Sequence, residues 1–260
     1  MAHEKLTSIE DAVVLSEIAA DAGALMLANG AEIYRVEDTV ERILRSKESM
    51  KDVDVFSSFN VIMISFSYNG KIYSNMRRVK ERGNNLHYVD KVNTFSRNFA
   101  AGKYTLDQAL LEIDKIKKSK STSTALKILG ATVAAGAYSI LLGAGISEII
   151  SSLVVGFIGY VFSLFLVENE LNYFVVHFLY GALVSLITLI LHFFTGVTIN
   201  VVIISAMMAF VPGIMITNAV RDLMSGDALS GMTAATMAIL ISTALALGVA
   251  MPIGIWEYLI

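Results

Sequence analysis

Residues 211–227 read VPGIMITNAVRDLMSGD, a polar segment inside a C-terminal half that is otherwise almost purely apolar. The segment carries one of the two prolines of the chain. It also carries one of the two basic and two of the six acidic residues that follow Ser121. Polar side chains are costly in hydrocarbon, so a cluster of them beside a helix breaker indicates a structural or functional requirement.

The composition divides the chain into a soluble part and a membrane part. The 260 residues have a mean hydropathy of +0.63 and are 55% hydrophobic, which is high for a soluble protein. Of the 20 Lys and Arg residues, 18 precede Ser121. We therefore predict a soluble domain over residues 1–120 and a membrane domain over residues 121–260.

Charge and cysteine content limit the possible partners. The net charge is −3 and there is no basic stripe, which does not favour nucleic-acid binding. The chain has no cysteine, which excludes disulfides and cysteine-ligated metals. Its first residues, Met1 to Lys5, contain no apolar run, so we predict no cleavable signal peptide.

The first 120 residues are typical of an α+β domain. Ser8 with Asp11 and Thr105 with Gln108 have the spacing of helix capping boxes. Between these helices, alternating residues predict strands at about 53–59, 62–68 and 71–79, the last two joined by Asn69-Gly70. Asn-Gly between two strand-like runs is a strong hairpin signal.

The last 140 residues predict an all-α bundle of five transmembrane helices. A spanning helix needs roughly 20 apolar residues, and each of five segments has about that length. They are about Thr124–Ala144, Ile149–Val167, Leu171–Phe194, Ile199–Ala219 and Ala228–Ile255. The last is long enough to tilt, or to break at Pro252.

The basic residues predict the orientation in the membrane. The cluster Lys115–Lys120 precedes the first span, so the soluble domain should be cytoplasmic. Arg221, between the fourth and fifth spans, then also lies inside. Five spans place the C-terminus, with Trp256 and Tyr258, on the outer face of the inner membrane.

Pro212-Gly213 interrupts the predicted fourth span about two-thirds of the way along. Proline removes a helical hydrogen bond, and broken helices in transporters expose backbone groups near a substrate path. A packing kink is an equally good interpretation, because Pro and Gly are frequent in membrane helices.

Asn218, Arg221 and Asp222 are spaced so that they share one helical surface. Arg221 with Asp222 or Asp227 could form an ion pair that a carboxylate substrate or a proton perturbs. The alternative is an interfacial loop, in which Arg221 marks the topology and Asp227 caps the fifth span.

Polar residues also follow the inner half of the predicted third span. Glu170, Tyr173, His177 and Tyr180 form one stripe, which suggests a water-accessible vestibule. His177 could take part in proton coupling, although a single membrane histidine is more often a packing residue.

In the soluble domain, charged residues crowd the second predicted helix: Glu32, Arg35, Glu37, Asp38, Glu41 and Arg42. We interpret them as a solvated face with local ion pairs. Hydrolase, metalloprotease, P-loop and dinucleotide-binding motifs are missing from the sequence, so it predicts no enzyme, metal or cofactor site.

Two segments of the sequence resemble the threonine/serine exporter (ThrE) family. One is LANGAEIYRVE at residues 27–37, and the other is residues 211–231 with the Pro-Gly, Asn, Arg-Asp and Gly-Asp positions named above. The pair Arg77-Arg78 and the run FAAG at residues 99–102 are similar as well. The resemblance covers most of the chain in the order of the family.

The resemblance implies an exporter of small carboxylates or amino acids. Undivided members have about ten spans, whereas this chain has five, so it is similar to the larger, YjjP-like subunit of the two-protein form. That form implies a small five-span YjjB-like partner and export of dicarboxylates such as succinate, whereas undivided members export threonine and serine.

An odd number of spans cannot by itself form two symmetric halves around a midplane site, which also favours a second unit or a homo-oligomer. We expect the proton gradient to drive export, with Arg221 at the entrance, Asp222 and Asp227 holding it or relaying protons, and Asn218 as a neutral hydrogen-bonding group. The alternatives are a membrane-anchored enzyme with a hydrolase-like cytoplasmic domain, and a sensory or assembly subunit without a path of its own.

Overall fold

The computed structural model describes residues 6–80, 83–119 and 122–259. These fall into two compact units. The N-terminal unit combines Met1–Ser121 with Ile214–Ala235, and the membrane unit combines Thr122–Gly213 with Thr236–Ile260. The residues on which the signal-peptide prediction depends, and Lys120 of the basic cluster, lie outside the described residues.

Ahead of the membrane segments, the described residues of the N-terminal unit form a three-stranded sheet and four helices. In chain order they are α1 Ile9–Ala28, α2 Ile33–Arg45, β1 Lys51–Ser58, β2 Val61–Tyr68, β3 Lys71–Arg78, α3 Leu86–Ala100 and α4 Leu106–Lys118. Both predicted capping boxes are confirmed: Ser8 and Asp11 cap α1, and Thr105 and Gln108 cap α4. Helix α1 is buried along its length and contacts α2, α3, α4 and the sheet, so it is the centre of this unit.

The sheet is antiparallel in the order β1-β2-β3. The predicted hairpin is confirmed, with Tyr68 opposite Lys71 across the two-residue turn. Asn69 and Gly70 have φ of 50° and 77°, the left-handed values that a tight hairpin turn of this type requires. One face of β2 packs on the core through Ile62, Ile64 and Phe66.

The membrane segments form six helices. They are α5 Thr124–Leu141, α6 Ile146–Glu168, α7 Tyr173–Thr195, α8 Ile199–Met207, α9 Gly213–Met224 and α10 Ala228–Leu259. Within the described residues, four of them (α5, α6, α7 and α10) are long and apolar enough to cross a membrane. Helix α10 runs through Pro252 without a break.

The predicted fourth span is not one helix. It is divided into α8, with nine residues, and α9, with twelve, and neither is long enough to span hydrocarbon. The count of five continuous spans is therefore not confirmed. The two units also divide here, because α8 lies in the membrane unit and α9, after Gly213, in the N-terminal unit.

Small residues allow the membrane helices to approach closely. Gly156 of α6 lies against Ala135 of α5, and a Cβ at Gly156 would be 2.6 Å from that of Ala135. Gly248 of α10 lies against the backbone of α7 at Phe178. These contacts fit the general use of small residues at membrane helix interfaces.

Candidate functional site: the divided fourth segment

The break between α8 and α9 is a short turn over residues 208–212. The Phe210 N–H donates to the Met207 carbonyl at 2.8 Å, and the Gly213 N–H donates to the Val211 carbonyl at 2.8 Å. Pro212 has no N–H to donate and ends the turn just before α9 begins. Proline thus stands where a new helix can start but the old one cannot continue.

An aromatic cluster occupies the break from the membrane side. Phe210 stacks on Tyr180 with ring centroids 3.8 Å apart, and Tyr160 and His177 lie 5.9 and 5.8 Å from the same ring. The hydroxyl of Tyr180 donates to the Ala206 carbonyl at 2.6 Å. The end of a helix leaves such carbonyls without a helical partner, so Tyr180 supplies the bond that the break removes.

The vestibule stripe is only partly assembled. His177 lies in α7, where Nδ1 contacts the Tyr173 carbonyl at 2.7 Å, and its ring meets the Phe210 edge. Glu170 precedes α7, in the exposed turn after α6, with a φ of 55°. Among the contacts of the described residues, none joins Glu170 to His177.

An open groove of about 530 Å³ runs along α8 and α10 within the membrane unit. Its lining extends from Met207, at the break, to Asn200, at the start of α8, with Glu257 near the end of α10. The walls between are apolar. The groove is large enough for a small metabolite and has polar groups at the end away from the break.

The polar end of α9 contacts the loop between α1 and α2 in the N-terminal unit. The Asn218 amide donates to the Gly30 carbonyl at 3.0 Å, and Arg221 forms an ion pair with Glu32. Gly30 has a φ of 86°, a left-handed conformation that ends α1 and turns its carbonyl outward. Both contacts join residues almost 190 positions apart in the chain.

Asp222 caps helix α2 from outside that helix. Its side chain accepts a long hydrogen bond, 3.5 Å, from the Ile33 N–H, and it is only 5% exposed. The N-cap residue of α2, Glu32, makes no side-chain cap of its own. A carboxylate at a helix N-terminus is stabilised by the free N–H groups and by the helix dipole.

Glu32 is held between two arginines. Its side chain is 11% exposed, with one oxygen 2.9 Å from Arg35 and the other on Arg221. Burial alone would raise its pKa, but hydrogen bonds from its own N–H and from Arg35, with the charges of Arg35 and Arg221, hold the pKa below its ordinary value. Glu32 is therefore ionised at neutral pH. Arg221 keeps 47% of its side chain exposed.

Glu37, one turn further along α2, has the opposite environment. Burial raises its pKa, and the nearby carboxylates of Asp227, Glu41 and Asp54 raise it further, against a hydrogen bond from the Ser57 N–H at 2.6 Å. Asp227 lies in the turn directly before α10. Helix α2 therefore faces a positive charge from Arg221, at the end of α9, and a negative charge from Asp227, before α10.

The structure brings together three of the predicted site residues: Asn218, Arg221 and Asp222. Their partners differ from the prediction, because Arg221 pairs with Glu32 and Asp222 contacts α2. The interpretation of the α2 charges as a solvated face is wrong for Glu32, although local pairs such as Arg45–Glu41, at 3.1 Å, do form.

Sequence reasoning missed Gly30 and Glu32 as the partners of α9. Both lie in the segment LANGAEIYRVE, one of the two on which the family resemblance rests. The other segment, residues 211–231, contains a single arginine, Arg221. The presence of an acidic residue in one segment and a single arginine in the other is a signal from which their pairing could have been predicted.

Comparison with known proteins finds a family match that includes both segments, residues 27–37 and 211–231. The ThrE family model, described as "Putative threonine/serine exporter", matches residues 17–256. The chain belongs to the ThrE family. No curated protein and no solved structure matches it.

Membership of ThrE agrees with the four apolar helices. ThrE is a family of transporters for threonine- and serine-type substrates, so the chain is a multi-pass membrane protein of an exporter family. The match includes both the α1–α2 loop and α9, so the contacts between Glu32 and Arg221 lie inside the region common to the family.

Proposed function

We propose that this chain is a subunit of an exporter that moves amino acids or small carboxylates past the break between α8 and α9. The observation that carries the proposal is the division of the fourth apolar segment at Pro212-Gly213. Divided helices place unpaired backbone groups and helix ends near the middle of a transporter, where they can contact polar substrates.

We infer the membrane topology from the number of crossings. Arg221 lies in the N-terminal unit, so the end of α9 is on the same side of the membrane as the soluble domain. The chain between them contains three long apolar helices, α5, α6 and α7. Three crossings would leave Arg221 on the opposite side, so the segment α8–α9 makes the fourth crossing and α10 the fifth.

The basic residues before α5 favour a cytoplasmic soluble domain. Lys115, Lys117 and Lys118 lie in the last turn of α4, just ahead of the first membrane helix. With five crossings the C-terminus is then outside, where Trp256 and Tyr258 suit the lipid headgroup region.

At the cytoplasmic entrance, Arg221 attracts the carboxylate of the substrate. Its half-exposed guanidinium is already paired with Glu32, so a substrate carboxylate competes with Glu32 for the same charge. Release of Glu32 loosens the contact between the α1–α2 loop and α9. Substrate binding thereby changes the conformation of the segment α8–α9. Asn218, beside Arg221, serves as a neutral hydrogen-bonding group.

Proton coupling is assigned to the acidic residues around α2 rather than to Asp222. Asp222 is buried at the N-terminus of α2, where protonation would weaken its hydrogen bond with the Ile33 N–H. Glu37 is the better candidate, because burial and the nearby carboxylate of Asp227 raise its pKa and so favour its protonation. In the membrane, His177 beside the break is the corresponding candidate.

The outer half of the path follows the groove between α8 and α10, from Met207 toward Asn200 and Glu257. The groove is open along one side, so a path there needs a second wall. A small five-span subunit of the YjjB-like kind, or a second copy of this chain, supplies that wall and the second half of the symmetric transporter.

Counterflow in proteoliposomes tests the proposal. The chain is reconstituted with and without the small five-span protein, and uptake of labelled threonine, serine and succinate is measured against an internal pool. We expect exchange of at least one of them and its loss in Arg221→Ala. The matched control is Lys127→Ala, which removes the other basic residue of the C-terminal half.

Two results would contradict the proposal. One is wild-type exchange by Arg221→Ala that is expressed and assembled normally. The other is the absence of exchange of any of the three substrates by the assembled protein.

A further inference from the structure

A separate pocket of about 180 Å³ lies between α3 and α4 in the N-terminal unit. Its floor is apolar, formed by the buried side chains of Phe95 and Ile116. Tyr104 closes one side and stacks on Phe95 with ring centroids 5.9 Å apart. A water molecule has a share of about 30 Å³ in the liquid, so the pocket holds a molecule of roughly six to ten non-hydrogen atoms.

The rim of the pocket carries an excess of positive charge. Lys91 from α3 and Lys115 from α4 face one acidic residue, Glu112. Lys115 is already paired with Glu112 at 3.0 Å. Among the described residues no ion-pair partner of Lys91 is found, so its ammonium is the uncompensated charge of the rim. Asn98 adds a neutral hydrogen-bonding amide.

This combination selects the chemical class of a ligand. An unpaired ammonium attracts an anion, and a charge-assisted hydrogen bond to a carboxylate is among the stronger polar interactions. The aromatic rings of Phe95 and Tyr104 suit a short carbon chain. Nucleotides and other larger anions exceed the volume.

We propose that the pocket between α3 and α4 binds a small carboxylate, an organic acid or an amino acid, with its carboxylate on Lys91 and its carbon chain on Phe95. The site is distinct from the proposed entrance at Arg221, because α3 and α4 contribute no residue to the described hydrogen bonds and ion pairs of Arg221 and Glu32.

The test uses the full chain with a fluorescent reporter at the pocket. The chain has one tryptophan, Trp256, so the double substitution Trp256→Phe and Tyr104→Trp leaves a single indole, beside Phe95. Threonine, succinate and inorganic phosphate are titrated separately. We expect saturable fluorescence changes with threonine, with succinate or with both, and much weaker changes with phosphate.

Substitutions then assign the ligand to the pocket. In the reporter background, Lys91→Ala should weaken binding by about tenfold or more, because it removes a charge-assisted hydrogen bond. Lys118→Ala is the matched control: it removes a lysine of α4 that pairs with Asp114 outside the pocket. It should leave the affinity unchanged.

Calorimetry on the chain without the reporter substitutions repeats the comparison of Lys91→Ala with Lys118→Ala, in case the indole disturbs the pocket. A response to threonine alone identifies an amino-acid site, and a response to succinate alone identifies an organic-acid site. The proposal is overturned by no saturable binding in either assay, by equal binding of phosphate, or by equal affinity of the two lysine variants.

Discussion

The pairing of Arg221 with Glu32 predicts an energetic coupling between α9 and the α1–α2 loop. The perturbation is a double-mutant cycle with Glu32→Gln, Arg221→Gln and the two together. Glutamine is nearly isosteric with Glu32 and removes its charge, and at Arg221 it keeps a polar amide while removing the charge and the guanidinium donors. The coupling is the amount by which the double variant loses less than the sum of the single variants.

The burial of the two partners sets the expected size. Exposed ion pairs contribute about 0.2–1 kcal/mol, whereas removing one partner of a fully buried pair costs about 3–5 kcal/mol. Here Glu32 is 11% exposed and Arg221 is 47% exposed, so the pair lies between these limits. We expect a coupling of about 1–2 kcal/mol, because solvent reaches the pair from the arginine side while the carboxylate is nearly buried.

The assay is hydrogen exchange of the α9 amides in the full chain, which reports the free energy of opening this helix from the α1–α2 loop. The control cycle uses Arg45 and Glu41, an exposed pair on α2, for which about 0.3–0.5 kcal/mol is expected. Additive effects of Glu32→Gln and Arg221→Gln on α9 exchange would refute the reasoning.

The pH adds a second condition to the same assay. The pKa of Glu32 is lowered, so the stabilisation from its charge is present above the ordinary value of 4.5 and disappears as the pH falls through the lowered value. The coupling should therefore be unchanged between pH 8 and pH 6.

Three further substitutions test the two units separately by thermal unfolding. Tyr180→Phe removes the bond to the Ala206 carbonyl and should cost about 1 kcal/mol of stability. Gly248→Ala places a methyl group against the Phe178 backbone and should cost about 1–3 kcal/mol. Glu37→Gln should raise stability at neutral pH, because the raised pKa means that the charge is costly there, and the gain should vanish below the ordinary value of 4.5.

Each of these has a matched control. Tyr258→Phe removes a hydroxyl from a residue that is 91% exposed and should change nothing. Gly254→Ala, on the same helix as Gly248, meets no atom within 4 Å and should not destabilise. Glu48→Gln removes an exposed carboxylate just after α2 and should leave the pH dependence as it is. A Gly248→Ala variant as stable as Gly254→Ala would contradict the close helix contact.

Local signals in the sequence predicted the local structure well. The Asn69-Gly70 hairpin and the two capping boxes depend on residues two or three positions apart, and the structure contains all of them. The break at Pro212-Gly213 is local in the same sense, because proline lacks the N–H that a continuing helix needs. Hydropathy, which averages over about 20 residues, missed the break and predicted one span across it.

Long-range pairing was beyond the sequence patterns. Arg221 had two acidic neighbours in its own segment, Asp222 and Asp227, and spacing favoured them as partners. The carboxylate it contacts belongs to Glu32, 189 positions away, where α1 ends and α2 begins. Nothing in a helical period specifies which loop meets a distant helix end, because that depends on tertiary packing.

The contacts of α9 with the α1–α2 loop also change how the N-terminal 120 residues should be tested. Deleting the first 115 residues would remove the partners of Asn218, Arg221 and Asp222 together. Loss of transport after that deletion would therefore not distinguish an enzyme or a sensor from an exporter. Point substitutions such as Lys91→Ala and Arg221→Ala separate the two sites without this problem.

Chemical cross-linking tests the contact between the end of α9 and the α1–α2 loop most directly. The chain has no cysteine, so Glu32→Cys with Arg221→Cys creates the only two thiols. A short bis-maleimide applied to the protein in membranes should join them, so that fragments cleaved between residues 32 and 221 stay together. The control combines Glu32→Cys with Tyr258→Cys, which should not cross-link, because these residues are proposed to lie on opposite sides of the membrane. Equal cross-linking of the two pairs, or none in the first, would contradict the account.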